Sequence, residues 1–289
     1  MKWLIPAKTF LLGEYAAVAE ASAIVLTTSP YFELSHNSEL DLVGIHPQSP
    51  AGLWWQQQNH LKTGLSWHDP YAGCGGLGAS SAQFLASYLA SCMLQEKPAH
   101  MNSMLEAYYQ VSWTGKGLRP SGYDVIAQSQ HGCVYINRQN NIVQCYAWPF
   151  QNLSFFLIHT GVKLATHHHL QDTALPAQID YLSNLVDTAK NAFEQHDSQQ
   201  LVTCINDYHA KLAELGLVAE HSQQLINQFK SYPEVLAIKG CGALGADIIL
   251  VLTSRSAATT FNAKLQQENR ALLATEKFLN FTPSLLAIK

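Results

Sequence analysis

The stretch Gly73–Ala82, with the sequence GCGGLGASSA, constrains this chain more than any other segment. It contains four glycines and leads directly into Gln83–Met93, whose apolar residues recur with helical spacing. A glycine loop that opens a helix leaves backbone N–H groups without intrahelical partners, and the helix dipole adds positive potential beside them. The stretch therefore predicts a phosphate-binding loop before a helix with one buried stripe. A glycine-rich turn before an ordinary core helix is the open alternative.

Two better-known phosphate motifs fit this stretch poorly. No lysine follows the last glycine, as a P-loop requires. Gly73, Gly75 and Gly78 do spell G-x-G-x-x-G, but the preceding segment Leu65–Pro70 is a poor strand. A dinucleotide-binding fingerprint is therefore disfavoured.

A second glycine-rich loop, Gly240–Ala246, lies between two apolar segments. We interpret these segments, Val235–Lys239 and Asp247–Leu252, as central strands. Two such loops at distant positions fit one polyphosphate site, built from both halves of the chain, better than either loop does alone.

Three charged positions are candidates for chemistry at that site. Lys8 lies among apolar strand residues, where it is either a surface lysine with a buried stem or a cation beside a reacting hydroxyl or phosphate. Asp124 follows a turn and opens an apolar segment, which is typical of a helix cap or of a carboxylate that orients a substrate hydroxyl proton. Arg119 with Lys116 is either a clamp for a substrate anion or an exposed basic turn.

Composition and charge narrow the expected partners. The net charge of −4 provides no basic field for nucleic acid or an anionic membrane, so we expect a small-molecule substrate and a monomer or homodimer. No apolar run approaches the ~20 residues of a membrane span, and Lys8 and Glu14 come too early for a signal peptide. The 6 cysteines lack C-x-x-C spacing, which favours a reducing, cytoplasmic location. The consecutive residues His167–His169 do not favour a metal site.

Strand runs and helix runs in the chain predict an α+β fold with two lobes, residues 1–150 and 151–289. In the first lobe, Ser22–Thr28 and Tyr31–Leu34 are predicted strands broken at Ser29–Pro30. Residues 46–72 are predicted as an irregular connection with one short helix. The remaining predicted elements are helices at 101–113, 177–195, 198–215, 219–230 and 257–268, a hairpin over 132–146 and an edge strand at 275–281.

Taken together, the motifs resemble those of the GHMP kinase family. Pro6–Val18, Gly76–Ala82 and Lys239–Asp247 resemble its three motifs, in the family's order. Pro120–Asp124 resembles the segment that carries the family's catalytic aspartate, and Thr160–Thr166 resembles a further family stretch. Within the family, the mevalonate and phosphomevalonate kinase branch is the most similar.

The resemblance implies a fold, an activity and a set of site residues. The fold would pair a ribosomal-S5-like N-terminal domain with an α+β C-terminal domain, and the activity would be phosphoryl transfer from ATP, with Mg²⁺, to phosphomevalonate or mevalonate in isoprenoid precursor synthesis. Asp124 would be the catalytic carboxylate, Lys8 its cationic neighbour and Ser80 the residue nearest the metal. Implied nucleotide contacts are Gly76, Gly78, Ala79, Ser80, Ser81 and Gly242, with Gly245 closing the loop. Implied substrate contacts are Glu14, Tyr15, Arg119, Ser121, Gly122 and Thr166.

The chain also departs from the family pattern. Ala7 and Ala79 replace a glycine and a serine, and Leu244 and Ala246 stand where glycines are expected, which stiffens the third motif. Trp113 stands where mevalonate kinases place a glutamate. Two alternatives therefore stay open: a diphosphomevalonate decarboxylase, which the Gly-Leu-Gly spelling of the second motif disfavours, and a non-catalytic GHMP-fold ligand-binding protein.

Overall fold

A computed structural model describes residues 1–162 and 175–279 of the chain. The first sheet has six strands, and its long strand β2 pairs with three of the others. On one side β2 runs antiparallel to β1 over most of its length, while on the other side its first half pairs with β5 and its second half with β4. The strands are β1 (Lys2–Leu12), β2 (Ala23–Asn37), β3 (Leu42–Val43), β4 (Gly64–His68), β5 (Cys133–Asn137) and β6 (Ile142–Tyr146).

Four helices accompany this sheet, and the helix that follows the glycine loop is enclosed by its neighbours. They are α1 (Pro50–Gln56), α2 (Ala79–Leu94), α3 (Met101–Ser112) and α4 (Tyr123–Gln128). Every residue from Phe84 to Ser91 is buried, so the expected single buried stripe on α2 is too narrow. Small residues such as Ala86 and Ala90 allow β1, β2, α1 and α4 to approach the helix from several sides.

The second half of the chain builds an antiparallel sheet with the strand order β10-β7-β9-β8. Its strands are β7 (Leu153–His159), β8 (Val235–Cys241), β9 (Ile248–Ser254) and β10 (Leu272–Thr275). Its helices are α5 (Ile179–Gln195), α6 (Ser198–Glu214), α7 (Glu220–Lys230) and α8 (Ala258–Gln267). The predicted helices and the predicted hairpin are confirmed, with small shifts at their ends.

One apolar core continues from the first sheet into the second half, where α5 and α6 supply Leu182, Phe193 and Tyr208. A smaller cluster packs α7 and α8 against the second sheet. The chain passes from the first sheet to the second between Tyr146 and Leu153, close to the predicted domain boundary at residues 150 and 151. The domain boundary itself stays a prediction. Among the residues that the structure describes, no helix is both long and apolar enough to cross a membrane.

The predicted break at Ser29–Pro30 is wrong, because β2 runs through it. The register with β1 passes from Pro6 opposite Tyr31 to Ala7 opposite Thr28, so Ser29 and Pro30 are accommodated as a bulge. A proline is tolerated at a bulge because the missing N–H leaves no ladder hydrogen bond unmade.

The interpretation of Leu65–Pro70 as a poor strand is also wrong, since most of it lies in β4. Leu65 is fully buried, and Trp67 stacks on Phe32 with ring centroids 5.4 Å apart. The dinucleotide fingerprint still does not apply, because β4 runs antiparallel to β2 and α2 leads into α3 instead of a parallel strand. The predicted edge strand at 275–281 lies earlier, in β10, and residues 280 and 281 are outside the described part of the chain.

Candidate active site

The glycine loop turns sharply into α2 and lies directly against Lys8. Gly76 and Gly78 have φ angles of +80° and +77°, a left-handed conformation that glycine adopts without a steric penalty. A Cβ atom at Gly78 would lie 2.7 Å from both Cε and Cγ of Lys8. The backbone N–H of Lys8 also donates a hydrogen bond to the carbonyl of Leu77, 3.0 Å away. The absence of a side chain at Gly78 is therefore what lets the lysine stem lie along the loop.

Lys8 and Asp124 form an ion pair at this loop, with Nζ 3.0 Å from Oδ1. The Lys8 side chain is 9% exposed and that of Asp124 is 31% exposed, so the carboxylate is the member that faces solvent. Gln128, one turn further along α4, donates from Nε2 to the carbonyls of Pro6 (2.9 Å) and Gly78 (3.1 Å). These contacts fix α4, β1 and the glycine loop to one another, and hold a carboxylate beside a cation at the helix entrance.

Tyr108 is a neighbour of Asp124 that sequence reasoning missed. Burial raises the pKa of its hydroxyl, and the negative charge of Asp124 raises it further. The hydroxyl therefore stays protonated at neutral pH. Tyr108 also packs against Phe84 of α2, with ring centroids 5.1 Å apart, and so supports the helix that carries the loop.

The two serines at the start of α2 differ in what their hydroxyls do. Ser81 is buried, and its Oγ donates to the carbonyl of Gly78 over 3.0 Å. Ser80 is exposed. The exposed Ser80 hydroxyl, beside the first N–H groups of the helix, is thus the one that a phosphate or a metal ion can reach.

The first glycine loop packs against the residues that directly follow the second one. A Cβ atom at Gly76 would lie 2.8 Å from Cδ1 of Ile248 and 2.9 Å from Cβ of Asp247. In contrast, Cβ atoms at Gly73 and Gly242 would meet nothing within 4 Å. The first loop is therefore packed against the end of the second at Gly76, while the backbone at Gly73 and Gly242 borders open space that a ligand can occupy.

Tyr15 connects the N-terminal motif to the second loop. Its hydroxyl accepts a hydrogen bond from the backbone N–H of Leu244, 3.2 Å away, and burial raises the pKa of the hydroxyl to about 12. Leu244 has a φ of +52°, in the left-handed region that favours glycine. Leu244, which stands where the family pattern has a glycine, thus adopts a strained backbone conformation, and its N–H is held by Tyr15.

Three further side chains form hydrogen bonds with backbone carbonyls of the second glycine loop. None of them was predicted from the sequence as a site residue. Ser222 of α7 donates to the carbonyl of Gly245 over 2.8 Å. The carbonyl of Ala246 accepts from Oγ1 of Thr160 (2.6 Å) and lies 3.0 Å from Nε2 of His221. Thr160 begins the stretch Thr160–Thr166 that resembles a family motif, whereas Ser222 and His221 lie in no such stretch, so no local pattern marks these two.

Glu14 lies in an environment that the sequence did not predict. Its carboxylate is 4% exposed and pairs with the ammonium group of Lys239, which is fully buried. Burial, the largest single influence, lowers the pKa of Lys239, but the charge and hydrogen bonds of Cys241 and Glu14 together outweigh it, so the pKa is raised. Burial also raises the pKa of the neighbouring Cys241 thiol to about 11, which keeps it neutral. The pair joins the segment that follows β1 to β8 of the second sheet.

The predicted substrate residues near α4 lie together. Gly122, with φ at +75°, precedes the first residue of α4, and Oγ of Ser121 accepts from the N–H of Tyr123 over 3.2 Å. The guanidinium carbon of Arg119 lies 4.4 Å from the ring centroid of Tyr109. The segment thus places Arg119 within the turn that leads to Asp124.

Several positions that the sequence analysis singled out do not bear on the site as described. Trp113 is 38% exposed and donates from Nε1 to the carbonyl of Lys116, so it offers no metal ligand. Thr166 and the run His167–His169 lie outside the described residues.

The residues at the loop fit a nucleotide-bound magnesium ion better than a protein-held one. Within residues 1–162 and 175–279, no group of three or more His, Cys, Asp or Glu is arranged to hold a metal ion. Mg²⁺ is usually bound through substrate phosphates with only one or two protein oxygens. The exposed Ser80 hydroxyl and the open space at Gly73 and Gly242 suit that arrangement.

Comparison with known proteins gives structural neighbours and no sequence matches. No family model and no curated protein matches the chain. L. major mevalonate kinase in complex with R-mevalonate is 22% identical, with a TM-score of 0.69 over 93% of this chain and 92% of that one. Streptococcus pneumoniae phosphomevalonate kinase in complex with phosphomevalonate and AMPPNP is 14% identical, with a TM-score of 0.76 over 95% and 99%. Lactococcus lactis galactokinase complexed with galactose is 10% identical, with a TM-score of 0.71 over 96% and 92%.

These neighbours are GHMP kinases, and the likeness extends over nearly the whole of each chain. The protein therefore has the GHMP kinase fold. The fold class predicted from the motifs, α+β in the two-lobed GHMP kinase arrangement, is confirmed.

Proposed function

We propose that the protein is an ATP-dependent small-molecule kinase of the GHMP family. The observation that carries the proposal is the Lys8–Asp124 ion pair, 3.0 Å long, beside the glycine loop that opens α2. A carboxylate that faces solvent, a buried cation and the N–H groups of a helix N-terminus are parts that phosphoryl transfer uses.

In the proposed reaction, an acceptor oxygen attacks the γ-phosphorus of ATP, and the bond from that phosphorus to the bridging oxygen of ADP breaks. Asp124 orients the acceptor, and it takes the proton when the acceptor is a hydroxyl. Lys8 holds Asp124 in place and adds positive charge beside the phosphoryl group as negative charge builds on its oxygens. Because the Lys8 side chain is buried and lies against Gly78, this charge needs little reorganisation during the reaction.

The N–H groups at the start of α2, with the backbone of Gly76, Gly78 and Ala79, would hold the triphosphate. Gly242, across the contact between the two loops, would border the nucleotide from the second half of the chain. Ser80 would hold the Mg²⁺ ion, which neutralises charge on the phosphates when it is bound.

For the acceptor, we propose phosphomevalonate or mevalonate. The motif resemblance to that branch supports this choice, as do the structural neighbours with R-mevalonate and with phosphomevalonate bound. A galactokinase and a putative homoserine kinase have the same fold, so the acceptor needs a direct assay.

The test is an acceptor panel with purified protein, ATP and Mg²⁺. Mevalonate, phosphomevalonate, homoserine and galactose are each incubated, and ADP and phosphorylated acceptor are quantified by mass spectrometry. We expect one ADP for each phosphorylated molecule of mevalonate or phosphomevalonate. Release of CO₂ from diphosphomevalonate would instead identify a decarboxylase. Tight nucleotide binding with no product from any acceptor would leave the non-catalytic alternative.

A further inference from the structure

Two arginines converge on one carboxylate next to the proposed active site. Oε1 of Glu20 accepts from Arg119 (2.5 Å) and from Arg138 (2.8 Å). The guanidinium carbons of the two arginines lie 4.4 and 5.7 Å from the ring centroid of Tyr109. We call these four residues the arginine cluster. Arg138 and Glu20 lie outside the segments that resemble kinase motifs. The sequence alone therefore does not indicate that these residues meet.

The arginine cluster carries a surplus of positive charge that solvent can reach. Two guanidinium groups, which stay protonated at all relevant pH values, face one carboxylate. The side chains of Arg119, Arg138 and Glu20 are 42%, 25% and 33% exposed. Burial raises the pKa of the Tyr109 hydroxyl, so it adds no negative charge. In a chain whose net charge is −4, the arginine cluster is a local excess of positive charge.

Tyr109 links the arginine cluster to the segment that carries Asp124. Its hydroxyl lies 2.6 Å from Nη1 of Arg138, which donates to it, and the same hydroxyl donates to the carbonyl of Ser121 over 2.9 Å. A Cβ atom at Gly122 would lie 2.8 Å from that hydroxyl. Asp124 follows in the first turn of α4. The cluster therefore lies beside the turn that leads to Asp124.

Glu20 occupies an unusual position for a residue of its type. Its φ is +61°, in the left-handed region, at the end of the 3-10 helix Ala16–Ala19. Glycine or asparagine is the residue type that this conformation favours. Glu20 therefore places a carboxylate at a position whose backbone conformation favours other residue types. That carboxylate pairs with Arg119 and Arg138, which an oxyanion of a ligand could also bind.

We propose that Arg119 and Arg138 bind an oxyanion of the acceptor, a carboxylate or a phosphate, and that Glu20 occupies this site until the acceptor displaces it. The inference rests on the proposed function and deepens it, because it names the residues that select an anionic acceptor over a neutral sugar. Glu20 then acts as an internal competitor, so removing its charge strengthens acceptor binding while removing either arginine weakens it.

The proposal predicts that removing Glu20 and removing either arginine change the Kd for the acceptor in opposite directions, which a purely structural cluster does not. The test titrates mevalonate, which carries only a carboxylate, and phosphomevalonate, which also carries a phosphate, into protein saturated with a non-hydrolysable ATP analogue. Arg119→Gln and Arg138→Gln should each raise the Kd about tenfold or more, as loss of a charge-assisted contact does. Glu20→Gln should lower it several-fold. Comparison of the two ligands shows whether the arginines bind the carboxylate or the phosphate.

The surface pair Lys2–Glu33, 2.7 Å long and at the opposite end of β1, provides matched controls. Lys2→Gln and Glu33→Gln remove the same charges and should leave both Kd values unchanged. If Glu20→Gln and the arginine variants all weaken binding, the cluster is only a brace and the proposal is overturned. Efficient phosphorylation of galactose would also overturn it while leaving the kinase function intact. A protein that binds the anionic ligands with these signs but transfers no phosphoryl group would overturn the proposed function alone.

Discussion

Replacing Gly78 with alanine tests whether the glycine loop works by letting the Lys8 side chain lie against it. The new Cβ would come 2.7 Å from two carbon atoms of a lysine that is only 7% exposed. The alanine would also have to adopt a φ near +77°. Gly73 is a matched control in the same loop, because its φ is +82° but its Cβ position has no atom within 4 Å.

The expected magnitudes follow from these two differences. A left-handed φ costs an L-residue about 1–2 kcal/mol, and both variants share that cost. The collision with Lys8 adds about 1–3 kcal/mol for Gly78→Ala alone. Activity should separate the variants further, since a displacement of about 1 Å at a catalytic group costs on the order of 100-fold. Lys8 cannot yield to the new methyl group and still hold Asp124 at 3.0 Å.

Stability is measured by urea unfolding and activity by kcat/KM for phosphoryl transfer. We expect Gly73→Ala to lose about 1–2 kcal/mol of unfolding free energy and little activity, and Gly78→Ala to lose more of both. In a Lys8→Ala background, the two glycine variants should become closer in stability, because only Nε2 of Gln128, 3.0 Å away, then lies near the new Cβ at position 78. Equal losses for Gly78→Ala and Gly73→Ala in the wild-type background would refute the reasoning.

Three further predictions concern other parts of the site and the core. Glu14→Gln should lower the free energy of unfolding by about 3–5 kcal/mol, because the Lys239 charge is left buried and unpaired. In urea unfolding, the double variant Glu14→Gln, Lys239→Met should recover most of that loss. Additive losses would show that the two residues are not coupled. Burial lowers the pKa of His209 from 6.5 to about 4, so the unfolded chain binds the extra proton first and stability should fall by about 3 kcal/mol as the pH drops from 6.5 to 4. His209→Leu should remove that part of the pH dependence of unfolding, and an unchanged slope would contradict the assignment. Ser80→Ala should raise the Mg²⁺ concentration for half-maximal activity about tenfold, whereas Ser81→Ala should leave it unchanged; the reverse result would assign the metal to Ser81.

The parts of the site that the sequence could reveal are those with a local chemical signal. Glycines at Gly76 and Gly78 mark a backbone that must turn left-handed and admit a neighbour, and a lone lysine or aspartate in an apolar segment marks a buried or directed charge. These signals predicted both loops, Lys8 and Asp124 as candidates, and the structure brings them together. Their roles in catalysis stay predictions until activity is measured.

The rest depends on partners that the chain brings together only on folding. Glu14 gives no sign in its own segment that Lys239 will neutralise it, and Arg138 gives none that it will share a carboxylate with Arg119. The bulge at Pro30 likewise depends on the register of β1, which a strand's own residues do not specify. Long-range pairing, not local propensity, decides each of these positions.

The central claim is that Asp124, held by Lys8, acts on the acceptor during phosphoryl transfer. Its most direct test is single-turnover phosphoryl transfer by Asp124→Asn with ATP and the preferred acceptor bound, alongside nucleotide titration of the same variant. The account predicts a rate lower by about 10²–10⁴-fold, with nucleotide affinity and thermal stability close to those of the wild type. A single-turnover rate within a few-fold of the wild type would contradict it.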